Sequence, residues 1–381
     1  MHLVNIIKAI FILTLTHGLA LAAPPIPVPA PPALAAKSYI LLDPNSGYVL
    51  AEKAPDARLE PASITKLMTA YVLFNELANG AVKLEDEVSI SEKAWRAPGS
   101  RMFIEVGTRV KVEDLLRGMI IQSGNDASIA LAENTAGSES SFATLMNHHA
   151  KRLGMTGSNF VNSTGLPHKD HYTTARDIAK IARALLTEFP AYYPWYSEKQ
   201  FSYNNITQYN RNKLLWRDKS VDGMKTGHTD SAGYCLVASA LRDKMRLISV
   251  VLGTKSEEAR AKQSQTLLNF GFRFFETHNL YSAGEPLSTA RIWKGDKESL
   301  PLGLSDDLYV TIPRGRYKSL SANMLLAENI LAPANKGHEY GTLSIRMGDK
   351  PVVEKPLIAL EEVETGSFVS RMLDEVKMWF R

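Results

Sequence analysis

Two apolar runs, 38–43 and 48–51, flank Pro44, Asn45, Ser46 and Gly47. A turn-forming tetrad between two such runs predicts a β-hairpin. The period then changes. Ile64, Leu67, Met68, Tyr71 and Val72 recur at helical spacing, with Pro61 suited to a first turn and Gly80 to a stop. That predicts a helix over 61–78, hydrophobic on most faces and therefore central. Helical periodicity returns over 112–122, 126–136, 141–153 and 174–188. Strand-like runs follow at 233–241 and 245–252, divided by Arg242, Asp243 and Lys244, before a long helix predicted over 256–277. Strands at both ends with helices between them predict an α/β (α+β) domain with an antiparallel sheet and a helical cluster.

The pattern shifts near residue 280. Short β-like runs such as 309–312 and 341–345, broken by Pro, Gly and Asp or Asn, predict a small all-β domain. The last residues change again. Placed on a helix at about 100° per residue, Phe368, Val369, Met372, Leu373, Val376, Trp379 and Phe380 fall within an arc of roughly 140°, with Met378 the one outlier. Trp and Phe on the apolar face suit the headgroup boundary of a bilayer, which marks these seven as membrane-binding residues. Docking of the helix on its own protein is the alternative.

The N-terminus carries Lys8, an apolar core over 9–15 and a small-x-small site at Ala20, Leu21 and Ala22. It reads as a signal peptide over 1–23, removed on export. Pro24 to Pro32 holds six prolines in nine residues, an extended linker over 24–36. The expected division is then 37–278, 285–364 for the all-β domain, and 366–381 for the amphipathic helix.

Composition narrows the function. The net charge of +4 over 381 residues, without a basic cluster, gives no support to nucleic-acid binding. The lone Cys235 forms no internal disulfide and sits in an apolar run, as a small buried hydrophobe does. His148 and His149 lie on a predicted helix without a ligand-spaced partner, and His168 and His171 sit in a polar loop, so neither metal nor cofactor is expected.

Three short motifs carry chemistry. Ser63 and Lys66 stand three apart, on one face of the predicted helix. A serine hydroxyl needs a base within hydrogen-bond reach, and a lysine serves when burial and nearby cations lower its pKa. Ser123, Gly124 and Asn125 fall between two predicted helices, where a hydroxyl and an amide can relay a proton and hold a substrate amide. Lys225, Thr226, Gly227 and His228 precede a strand-like run; an edge strand with a glycine lets a peptide lie alongside, and Lys225 and Thr226 can bind a carboxylate. Singly, these are a helix N-terminus, a capping turn and a basic turn.

Together, in this order and with 60 and 102 residues between lead positions, they resemble the penicillin-binding proteins and serine β-lactamases. Gly124, where the class A lactamases have Asp, makes the chain more similar to the low-molecular-mass D-alanyl-D-alanine carboxypeptidases. The stretches 60–66, 122–126, 221–230, 269–276 and 311–316 look like that group as well. The resemblance implies a β-lactamase/transpeptidase-like fold, export to the periplasmic face of the inner membrane, and removal of the terminal D-alanine from peptidoglycan stem peptides. It implies β-lactams as covalent inhibitors. Ser63 would be acylated, Lys66 would take its proton, and Ser123 and Lys225 would carry the proton to the departing D-alanine. Asn125 would bind the substrate amide, and the backbone N–H groups of Ser63 and His228 would form the oxyanion hole. Thr226 would contact the terminal carboxylate, with Gly227 and Arg260 beside it and Arg211 bracing the site. Thr164, where some relatives have a histidine, receives no catalytic role. A D,D-endopeptidase, a weak β-lactamase and a non-catalytic wall or membrane scaffold are the alternatives.

Overall fold

The computed structural model describes residues 27–379. The predicted leader, the first prolines of the linker and Phe380 lie outside the described residues. Five antiparallel strands form the first sheet, in the order 49–53, 38–42, 245–254, 233–242 and 221–229. Its middle strands are apolar at nearly every position, because each face packs on a separate core. Ile40, Leu42, Ile248, Val250 and Val237 enter one core; Tyr39, Leu41, Leu247, Val251 and Leu236 enter the other. Successive side chains of a strand point to opposite faces, so a sheet covered on both sides reads as a continuous hydrophobic run.

The helices Lys66–Ala78, Asn125–Ala136, Glu139–Arg152 and Ala175–Glu188 contribute to the first core, and Glu257–Phe274 covers the second. Three of these begin at the residue their side chains dictate. Ser138, Thr174 and Ser256 each accept an N–H of the first turn, as N-caps do.

The long helix ends at Phe274, short of the predicted 277. Phe275–Tyr281 is a strand paired antiparallel with Leu308–Pro313. Beyond it, a six-stranded sheet built from residues 288–359 encloses its own core of Ile292, Leu300, Leu302, Leu343, Ile345 and Leu357. A polar knot joins the two regions: Asp43 accepts from Thr277 Oγ1 (2.7 Å), which in turn contacts Thr311 Oγ1 (2.8 Å). The helix Phe368–Trp379 closes the described chain.

Candidate active site

The nucleophile candidate sits not on the α-helix predicted over 61–78 but on a turn that precedes its observed start. A single 3-10 turn, Ala62–Thr65, carries Ser63, and the α-helix begins at Lys66. Ala62 has φ +48°, a left-handed conformation that costs a residue with a Cβ about 1–2 kcal/mol. Against it lies Gly165, φ +84°, packed so closely on the Ala62 carbonyl that a Cβ would collide with it.

Lys66 is only 1% exposed. Its Nζ donates to Ser63 Oγ (3.1 Å), Asn125 Oδ1 (2.6 Å) and the Thr164 carbonyl (2.7 Å). Burial pulls its pKa down from the ordinary lysine value to about 7. Arg211 pulls the same way, against Asp126 and Glu139. An amine in that range is neutral for part of the time at physiological pH, as a base for serine must be. Thr164 thus enters the site through its backbone. Its hydroxyl bonds within its own turn, donating to Asn162 Oδ1 (3.1 Å) and accepting the Leu166 N–H (3.2 Å). A carbonyl oxygen has no residue-type signature, so this contact is not legible from residue types.

Asn125 opens its helix, and its Nδ2 donates to the Pro98 carbonyl (2.7 Å). The next residue, Asp126, is fully buried and accepts from the backbone of Met102 (3.0 Å) and Phe103 (2.9 Å). The loop after Pro98 is therefore pinned to the Ser123–Asn125 turn. Ser123 follows a turn of π-helix, Gly118–Gln122, and adopts φ +69°. Its Oγ is buried without a hydrogen-bond partner among the described residues, and Ser123 lines the cleft. Such a hydroxyl costs about 1–3 kcal/mol until a partner arrives.

Lys225, Thr226, Gly227 and His228 lie within the edge strand Val221–Thr229. Lys225 is buried, and its Nζ donates to the Thr226 carbonyl (3.2 Å). Desolvation, then Lys66, Arg211 and Arg260, hold its pKa well below the ordinary value. At Gly227 the strand meets the nucleophile turn, where a Cβ would lie 3.0 Å from the Pro61 carbonyl oxygen and 3.2 Å from the Ile64 nitrogen. Arg260 reaches in from its helix, and its Nη1 donates to the Gly227 carbonyl (3.2 Å). His228 is exposed and stacks on Tyr234, with ring centroids 3.9 Å apart. Arg211 is exposed on the rim. A cleft of about 430 Å³ brings together Ser63, Ser123, Asn125, Thr226, Arg211 and Arg260. Cys235 lies buried behind the strand, its thiol pushed up to about 11 by burial and so protonated.

Known proteins resemble this chain in sequence and in fold. A family model described as D-alanyl-D-alanine carboxypeptidase matches residues 27–256, and one described as penicillin-binding protein 5, C-terminal domain, matches residues 275–365. D-alanyl-D-alanine carboxypeptidase DacA of Escherichia coli K12 is 43% identical over 361 residues, 93% of this chain and 90% of that protein. DacC of the same strain is 46% identical over 357 residues, 92% and 89% of the two chains. Penicillin binding protein 5 from Haemophilus influenzae superposes with a TM-score of 0.85 at 41% identity, covering 88% of this chain and 99% of the other.

Proposed function

This chain belongs to the D-alanyl-D-alanine carboxypeptidase family, and from that premise we propose that Ser63 is its nucleophile and Lys66 the base that activates it. It is a serine-type D-Ala-D-Ala carboxypeptidase, a hydrolase of the penicillin-binding protein group. The observation that carries the residue assignment is the buried Lys66 amine, 3.1 Å from Ser63 Oγ with a pKa near 7.

In this reading Ser63 Oγ attacks the carbonyl carbon between the two D-alanines and its proton passes to Lys66. Backbone N–H groups of Ser63 and His228 receive the negative oxygen. The C–N bond breaks, and the departing amine takes a proton relayed through Ser123 and Lys225. Asn125 binds the substrate amide, while Thr226, with the cations of Arg260 and Arg211 nearby, takes the terminal carboxylate. Water then adds to the ester, releasing the shortened peptide and restoring the Ser63 hydroxyl. A β-lactam would acylate the same oxygen. Its hydrolysis should be slow, because among the described residues the one carboxylate lining the cleft, Glu257, is tied to Lys213 (3.0 Å) and Arg260 (3.5 Å). No free carboxylate base therefore stands ready to activate water there.

The proposal extends to the address. The leader directs export, and the tail helix holds the protein to the outer face of the inner membrane. Among the described residues no helix is long and apolar enough to cross a membrane. Phe368, Val369, Met372, Leu373, Val376 and Trp379 are all more than half exposed, which supports attachment to the surface of the bilayer.

Ser63→Ala is expected to abolish D-alanine release from a pentapeptide ending in D-Ala-D-Ala, measured by amino-acid analysis, and to abolish covalent labelling by fluorescent penicillin. Full release by the variant would refute the nucleophile assignment.

A further inference from the structure

Thr65 lies between the nucleophile and the base in sequence, and its side chain bonds to neither. It is buried, and its Oγ1 stands 2.8 Å from His171 Nε2. His171 belongs to a loop that reads from sequence as polar and unremarkable; here it is 2% exposed. Its other nitrogen, Nδ1, accepts the backbone N–H of Val161 (3.2 Å). A backbone N–H only donates, so Nδ1 is the unprotonated nitrogen and Nε2 carries the hydrogen. His171 therefore donates to Thr65. Burial lowers its pKa to about 4, so the ring stays neutral near pH 7.

What the ring connects matters more than the bonds themselves. On one side is the turn that presents Ser63. On the other is the segment whose Thr164 carbonyl accepts from Lys66 Nζ. That segment is otherwise well fixed: the Ser163 carbonyl accepts from Thr69 and Ser128 Oγ (2.7 Å each), and Asn162 Oδ1 accepts from the Gly165 nitrogen (2.7 Å). Gly165 lies where a Cβ would collide with the Ala62 carbonyl and crowd Thr65 Oγ1. The position of Lys66 relative to Ser63 thus depends on how this segment sits against the turn, and the His171 ring, bonded to Thr65 on one side and to the Val161 N–H on the other, is a side-chain link between them.

We propose that His171 is a positioning residue for acylation: acting through Thr65, it sets the nucleophile turn against the segment that holds Lys66. It does not touch substrate. The inference rests on the proposed roles of Ser63 and Lys66. Backbone bridges between Leu59 and Thr173 and between Asn159 and Tyr172 remain when the ring is removed, so the variants retain the loop.

The test is single-turnover acylation of the full-length protein by fluorescent penicillin, with active sites counted from the final label and the labelled peptide identified by mass. His171→Ala is expected to lower the acylation rate constant about tenfold while leaving the concentration dependence of the preceding binding step unchanged. His171→Gln should recover to within about twofold of the parent, because its amide can accept from Val161 and donate to Thr65. Thr65→Val should reproduce the His171→Ala defect, and the double variant should be no slower than either alone, as for two groups acting as one unit. The inference is overturned if His171→Ala acylates at the parent rate, or if His171→Gln is as slow as His171→Ala with an equal fall in melting temperature. The second result would make the ring packing alone. A parent label on a residue other than Ser63 would overturn the proposed function as well, and the same mass spectrum reads it.

Discussion

A lysine amine that takes a proton from serine has to be neutral for part of the time, and bulk water opposes that. Here the opposition is removed mainly by burial of Lys66, with Arg211 adding to it and Asp126 and Glu139 working against it. The consequence is a pH dependence with a definite sign. As pH falls through about 7, Lys66 gains a proton and loses its function as base, so kcat/KM should fall about tenfold per pH unit on the acid side. Arg211→Ala removes a cation that disfavours the protonated amine. Lys66 should then hold its proton to higher pH, and the acid limb should move upward, whatever the variant does to substrate affinity. A profile of kcat/KM from pH 5 to 9 for parent and variant checks this; a limb that stays put or moves down would count against Lys66 as the titrating base. At this scale the sequence was informative wherever chemistry resides in a side chain: Ser63, Lys66, Ser123, Asn125 and Lys225 all meet around one cleft or directly behind it. It was silent where the working atom belongs to the backbone, as at Thr164, or where a polar loop residue is buried by distant chain, as at His171.

Elements are legible when local period and local partners decide them, and less so when the partner is remote. The hairpin at 38–53 and the helix of 174–188 follow from their own residues. The end of the long helix does not. Phe270, Phe272 and Phe274 carry the apolar pattern on toward Thr277, and pairing with the distant strand Leu308–Pro313 makes Phe275–Tyr281 a strand. The π turn at Gly118–Gln122 is hidden for a related reason: its apolar residues fit an α-helix equally well. The approach of the edge strand to the nucleophile turn is a third such feature. Because Gly227 meets Pro61 and Ile64 without room for a methyl group, Gly227→Ala should push the strand and turn apart by a few tenths of an ångström. Acylation by penicillin should slow by an order of magnitude or more, since oxyanion donors act only at short range. The melting temperature should fall by only about 2–4 °C, because one crowded contact at a sheet edge costs about 1 kcal/mol in a chain of this size. Stopped-flow acylation and a thermal melt on the same sample separate the two effects. Loss of stability without loss of rate would mean that this contact serves the fold alone.

At the scale of the whole molecule, the tail helix reverses the usual arrangement. An amphipathic helix resting on its own protein hides its apolar stripe. This one hides Asp374, 7% exposed, whose carboxylate accepts the Lys294 backbone N–H (2.7 Å) and pairs with Arg291 (3.1 Å). Glu375 pairs with the Lys294 side chain beside it. The helix is therefore docked through its polar face, and Phe368, Val369, Met372, Leu373, Val376 and Trp379 are turned outward together. The amphipathic pattern was plain in the sequence; which face would dock was not, because that depends on Arg291 and Lys294 eighty residues upstream. If each of the six gains about 1 kcal/mol on entering the headgroup boundary, attachment amounts to roughly 6 kcal/mol, enough for reversible binding and far short of a spanning helix. Truncation after Gly366 should then move the exported protein from the membrane to the soluble fraction while leaving its penicillin acylation rate unchanged. Asp374→Ala should do something different. It leaves the apolar stripe intact, so sedimentation with vesicles should persist, but it removes the acceptor that docks the helix, so deuterium uptake over 368–379 in the absence of lipid should rise. A truncated protein that stays on membranes would shift the anchor to the leader. Unchanged exchange in Asp374→Ala would mean that Glu375 and the chain connection at Gly366 suffice to hold the helix in place.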